Sequence, residues 1–149
     1  MEELRRRQLL EPVKAAISKG TPYLGICLGL QLLFEESEES PGVQGLGILQ
    51  GRVRRFPSTS LKIPHMGWNQ VVGEVDGCPV LRGIPVRSYV YFVHSYYADP
   101  ADRSLIILEA EYGIRFAAMV WRDNLFATQF HPEKSQALGL RLLQNFVNL

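Results

Sequence analysis

Apolar positions recur at helical spacing near both ends of the chain and at strand spacing through its middle. Leu10, Val13 and Ile17, with the small Ala16, share one helix face; Pro12 fits the first turn of that helix and Gly20 stops it. Residues 21–27 read as a short buried strand. A second helix is predicted over residues 28–36, with Leu28, Leu32 and Leu33 turned to the core. It ends in the acidic run Glu35-Glu36-Ser37-Glu38-Glu39, which opposes the helix dipole, so fraying into a loop near Pro41-Gly42 is expected. Beyond that point the period shortens. Residues 47–56, 67–72, 89–97, 105–112, 117–121 and 125–130 are rich in β-branched and aromatic side chains and are separated by Gly, Pro, Asp or Asn. Asp123-Asn124 suits a tight hairpin, because both residues tolerate positive φ. A last helix is predicted from about Ser135, with Leu138, Leu142, Leu143 and Phe146 as its apolar stripe. The pattern predicts one mixed α/β domain over residues 1–149, with antiparallel strands added to a parallel core.

Composition narrows the class of function. With 46% apolar and 21% charged residues, 149 residues can close one hydrophobic core. A formal net charge of +1 gives no long-range pull toward nucleic acid or membrane. Arg5-Arg6-Arg7, next to Glu2 and Glu3, reads as a solvated helix face. Charged residues follow Met1 where a leader would be apolar, and no apolar run approaches the ~20 residues of a membrane helix. The two cysteines, Cys27 and Cys78, stand far apart and outside metal-ligand spacing, so a reduced cytosolic protein without a cofactor is expected.

The candidate chemistry lies in two segments. Gly25-Ile26-Cys27-Leu28-Gly29 has the form Gly-x-nucleophile-x-Gly at a strand-to-helix junction, where a sharp elbow presents the central side chain. A thiol there lies at a helix N-terminus, which is expected to favour the thiolate; a buried core cysteine is the plainer alternative. Phe130-His131-Pro132-Glu133 follows the last strand and precedes the last helix. Imidazole is the usual base for a thiol and works best when a carboxylate holds its other nitrogen. His131 and Glu133 are two apart, so in extended chain they leave the same face, and Pro132 keeps His131 extended. The alternative is a helix start, with Pro132 in the first turn and Glu133 complementing the dipole.

Together, Gly25–Gln31 and Phe130–Ser135 resemble the triad-type (class I) glutamine amidotransferases. Pro64-His65-Met66-Gly67-Trp68-Asn69 and Tyr91-Phe92-Val93-His94-Ser95-Tyr96-Tyr97 are similar to the branch of that class serving histidine biosynthesis, and separate the chain from the GMP, anthranilate and CTP synthase domains. The resemblance implies a flavodoxin-like three-layer α/β fold, with Cys27 as nucleophile, His131 as base and then acid, and Glu133 as the group that orients the imidazole. It also implies substrate contacts at Leu28, Gln31, Ser95 and Tyr96. The implied partner is a (β/α)₈-barrel cyclase that receives the ammonia, docked through Trp68, Asn69, Tyr91 and Lys134. His65 and His94 match family motifs outside the triad and read as structural or interface residues.

The family pattern carries further strands and a Pro-Gly-Val-Gly-type turn before the region matched here, whereas this chain opens in the helix that leads to the elbow strand. Pro-Gly-Val occurs only at Pro41-Gly42-Val43, after the elbow. The Leu28 N–H is then the expected oxyanion donor, and residues 23–27 are expected to form an open sheet edge. Low activity of residues 1–149 alone follows as an expectation. Two other readings stay open: a non-catalytic interaction module of the same lineage, and a different cysteine hydrolase on a related fold.

Overall fold

A computed structural model describes residues 1–57, 61–74, 76–85 and 87–149. The elements in chain order are α1 (Glu2–Arg6), α2 (Leu10–Ser18), β1 (Tyr23–Ile26), α3 (Leu28–Gln31), β2 (Glu36–Ser37), β3 (Gly51–Arg55), β4 (His65–Gly73), β5 (Tyr89–His94), β6 (Tyr96–Pro100), β7 (Ile106–Glu111), β8 (Arg115–Arg122), β9 (Leu125–Thr128) and α4 (Gln136–Val147). A six-stranded sheet runs β1-β9-β8-β7-β4-β5, and a small sheet runs β2-β3-β6. The parallel part of the large sheet is the β1–β9 pair; the other neighbours are antiparallel.

Strand β9 shows why the fold is layered. Leu125 and Ala127 pack into one apolar cluster with Ile17, Leu30, Leu33 and Phe34. Phe126, from the opposite face, packs into another with Phe92, Met119 and Leu142 of α4. Alternation along a strand buried on both sides thus joins two cores through one sheet. The α/β three-layer class is the one predicted. The hairpin also forms as predicted, since Asp123 adopts φ +53° between β8 and β9, and α1 is solvent-facing, with Glu3 holding Arg6 and Arg7.

Three expectations need correction. The helix after the elbow is a single turn, and Leu28 is 57% exposed while Leu30, Leu33 and Phe34 are buried. The chain leaves α3 early because Glu36 and Ser37 pair with Arg52 and Val53 as a strand, in place of a fraying helix end. The predicted strand over 89–97 divides at Ser95 into β5 and β6, which serve different sheets. Strand β1 does take the end position of the large sheet and, among the described residues, pairs only with β9.

Candidate active site

The elbow is built from two close approaches. Cys27 caps α3 with φ +49° and ψ −99°, a conformation that L-residues adopt only when their surroundings impose it. Its N–H donates to the Thr128 carbonyl at 2.7 Å, which ties the elbow to the end of β9. A Cβ on Gly25 would lie 2.7 Å from the Gly29 carbonyl oxygen, so the strand must be bare at that position for the chain to fold back. A Cβ on Gly29 would meet only the Tyr23 hydroxyl, at 3.7 Å. Of the two motif glycines, the first is the one that sterics require.

Because β1 and β9 are parallel neighbours with Ile26 opposite Thr128, the segments that follow them leave the same edge of the sheet. One supplies Cys27 and the other Gln129, Phe130 and His131. His131 is strapped to β5: its N–H donates to the Tyr91 carbonyl at 2.9 Å. The Ser135 hydroxyl closes the strap, donating to the His131 carbonyl at 2.7 Å and accepting from the Tyr91 N–H at 3.0 Å. Ser135 is 1% exposed, and this role was invisible in the sequence, where it read as a helix start.

The structure brings His131 and Glu133 together, while among the described residues no hydrogen bond joins His131 Nε2 to Cys27, whose Sγ lies 3.9 Å from the Val93 carbonyl. His131 Nδ1 lies 2.7 Å from Glu133 Oε1; a carboxylate there accepts, so Nδ1 carries the proton and Nε2 carries the lone pair. That Nε2 is buried and, among the described residues, has no hydrogen-bond partner. A buried acceptor left unpaired costs free energy unless a proton donor visits it. Glu133 remains 44% exposed.

Cys27 departs from expectation in its electrostatics. Burial pushes its thiol pKa up; the Leu28 N–H and the Gln129 amide act in the opposite direction, and the carboxylates of Glu133 and Glu39 add to the rise. A one-turn helix has little macrodipole with which to lower it. Burial raises Cys78 as well, and that side chain is 3% exposed.

Gln31 is not a solvated helix position. It is 9% exposed, and its Nε2 donates to the Tyr96 carbonyl at 3.0 Å and to Gln129 Oε1 at 3.2 Å. The Ser95 carbonyl is engaged by the Phe56 N–H. A cleft opens beside the elbow, lined by Leu28, Gln31, Leu32, Glu36, Ser37 and Glu39.

The remaining motif residues form two groups. Tyr91 lies opposite Trp68 in the β4–β5 ladder with ring centroids 6.1 Å apart, and Lys134 Nζ sits 5.9 Å above the Tyr91 ring. Met66, 61% exposed, and Tyr89, 58% exposed, extend this face and were not singled out in the sequence. Asn69 points elsewhere. Its Nδ2 reaches the Glu111 carbonyl at 2.8 Å and His65 Nε2 at 3.2 Å, so the amide is committed within the chain. His65 and His94 are buried, with Nδ1 of His65 2.9 Å from Nε2 of His94, and Nδ1 of His94 2.8 Å from the Tyr96 carbonyl. The carbonyl can only accept, so both imidazoles carry their proton on Nδ1. Burial lowers their pKa values to about 4 and about 3, so both are neutral near pH 7.

Comparison with known proteins agrees with this geometry. The family profile "Glutamine amidotransferase class-I" matches residues 2–149. The imidazole glycerol phosphate synthase subunit HisH of Syntrophotalea carbinolica is 52% identical over 152 aligned positions, covering 98% of this chain and 73% of that protein. The HisH subunit of Methanocaldococcus jannaschii is 51% identical over 94% of this chain and 72% of its own length. Among solved structures, PurLQS from Thermotoga maritima superposes with a TM-score of 0.72 at 18% identity, over 94% of this chain and 67% of that one. The glutaminase domain of Trypanosoma brucei CTPS superposes with a TM-score of 0.62 at 17% identity, over 91% of this chain and 63% of that chain; likeness at this identity speaks for the fold alone. With the family profile matched over residues 2–149 and about half of the positions identical to these subunits over nearly the whole chain, the chain belongs to the class-I glutamine amidotransferase family, among the HisH subunits of imidazole glycerol phosphate synthase.

Proposed function

We propose that Cys27, His131 and Glu133 carry the glutaminase reaction of this family on this chain. The observation that supports it most is the buried, unpartnered Nε2 of His131, on a ring whose Nδ1–H is already given to Glu133. That nitrogen takes the Cys27 proton, and the thiolate attacks the side-chain amide carbon of glutamine. The tetrahedral oxyanion faces the Leu28 N–H, the first amide of α3. His131 then returns its proton to the leaving nitrogen, ammonia departs, and water cleaves the glutamyl thioester to glutamate. Leu28, Gln31, Ser95 and Tyr96 are the proposed substrate contacts. The Nε2 protons of Gln31 are committed and the Ser95 and Tyr96 carbonyls are engaged, so the carbonyl oxygen of Gln31 is the part of that side chain left for the substrate.

A glutamine-analogue electrophile tests the assignment. It is expected to modify Cys27 and spare the buried Cys78; equal labelling, or labelling of Cys78 alone, would sink it.

The ammonia acceptor we propose is a (β/α)₈-barrel cyclase, docked on the outer face of β4 and β5 and completing a heterodimer. Trp68, Tyr91 and Lys134 stand together there with Met66 and Tyr89, an arrangement of exposed aromatics beside a cation that suits an interface anchor. Asn69 would serve that face indirectly, by fixing the strand from its inner side. Trp68→Ala is expected to weaken cyclase binding roughly thirtyfold while leaving analogue labelling of the isolated chain unchanged. Unaltered affinity in a titration would move the docking face elsewhere. Among the described residues no helix is long and apolar enough to cross a membrane, and the free thiols suit the reduced cytosol we propose as its setting.

A further inference from the structure

Gln129 is 0% exposed and sits two residues before the proposed base, so in extended chain both side chains leave the same face toward the elbow. Its Nε2 donates to Cys27 Sγ at 3.6 Å. The direction of that bond follows from its neighbours. The Tyr96 carbonyl can only accept, so the group of Gln31 beside it, at 3.0 Å, is the amide nitrogen. That nitrogen's second proton goes to Gln129 at 3.2 Å, which requires an acceptor there, Oε1. The NH₂ end of Gln129 is thereby left facing the sulfur. The Tyr96 carbonyl is itself held by the His94 Nδ1–H, so the anchor at the start of this chain is fixed from two sides.

We infer that Gln129 is a further catalytic residue, whose side-chain amide donates to Cys27 Sγ and stabilises the attacking thiolate, and that Gln31 is the positioning residue that sets the direction of that amide. The inference rests on reading Cys27 as the nucleophile. Its chemical sense is that a thiolate accepts a hydrogen bond far better than a thiol or a thioester sulfur. The donation is strongest in the state that attacks and fades once the acyl group is on sulfur. The surroundings make such a donor necessary. The sulfur is partly buried, Glu133 and Glu39 place negative charge toward it, and His131 is the base expected to remove its proton; the favourable donors are the Leu28 N–H and Gln129.

The test is the pH dependence of Cys27 alkylation by iodoacetamide in the full chain, with Gln129→Met and Gln31→Met beside the wild type. Methionine keeps the length of glutamine and removes its donors. A Cys27→Ala control subtracts any reaction at Cys78. In Gln129→Met the alkylation midpoint is expected to move up by about one pH unit, with roughly tenfold slower reaction at neutral pH. Gln31→Met is expected to shift it in the same direction but less, since the Gln129 amide is then free to turn over. A folded Gln129→Met chain with the wild-type profile overturns the inference. Should Gln129→Met fail to fold by circular dichroism, Gln31→Met decides: an upward shift supports the inference and an unchanged midpoint overturns it. Iodoacetamide does not need the glutamine site. A Gln129-dependent profile in a chain that ignores the glutamine analogue would therefore refute the glutaminase reading and keep this one.

Discussion

Alanine at Cys27 or at His131 is expected to abolish glutamine-dependent turnover, by at least ~10⁴-fold, while turnover of the cyclase supplied with free ammonia is unchanged. The two losses should be similar because in the proposed reaction nucleophile and base act as a unit: burial raises the thiol's pKa, so the thiolate would form by transfer of its proton to His131 Nε2. Glu133→Ala should be milder, by about a hundredfold in the size of the loss. The carboxylate is 44% exposed, so water can take its place as acceptor for the Nδ1–H, at the cost of a looser ring. Steady-state assays of the assembled complex with glutamine and, separately, with ammonium salt measure all three. A Glu133→Ala loss as deep as that of Cys27→Ala would make Glu133 structural, and failure of the ammonia-supported rate in any of them would point to a misfolded subunit.

The candidate site is legible in the sequence where contiguous residues at an element junction carry it. Gly25–Gly29 and His131–Glu133 each announce a turn and a reactive group together, and the structure puts both at one sheet edge because β1 and β9 are neighbours. What could not be read is whatever depends on residues that meet only in three dimensions. Gln129 lies in a run that reads as the apolar end of a strand, and its meaning comes from Gln31, 98 positions away, and from Cys27. Ser135 reads in sequence as the start of the last helix, and its hydroxyl's role depends on Tyr91, 44 positions away. The thiol's electrostatics were misread for a related reason. A helix over residues 28–36 would carry a dipole able to favour the thiolate, but α3 is one turn because the following residues are recruited into a strand with β3. The resemblance implies Asn69 on the docking face with Trp68, yet neighbours on a strand face opposite sides, and it turns in toward His65.

A second large effect is expected at a position outside every motif. Gly139, in the first turns of α4, packs directly on the turn that holds the base. A Cβ built there falls on the Pro132 carbonyl, within 2.6 Å of its carbon and 2.9 Å of its Cα. These are backbone atoms, so no rotamer change relieves the contact. In an exposed helix Gly→Ala gains about 1 kcal/mol. Here overpacking against main chain costs about 1–3 kcal/mol, and the cost should win. The displaced atoms adjoin His131, whose carbonyl is also tied to Ser135 and Lys134, so relaxation of α4 moves the imidazole along with the turn. A shift of even a fraction of an ångström between base and thiol is costly, and Gly139→Ala is expected to lower glutamine-dependent turnover by about a hundredfold while melting several degrees below the wild type. Gly29→Ala makes the informative contrast: it alters a motif glycine, but its Cβ meets only the Tyr23 hydroxyl at ordinary contact distance, so its melting temperature should stay near that of the wild type. Thermal melts of the two variants, with glutamine and ammonia assays of the complex, decide the matter. A Gly139→Ala chain with wild-type stability and turnover would mean that α4 can slide off the Pro132 turn without cost, and that the base is held by the Ser135–Tyr91 strap alone.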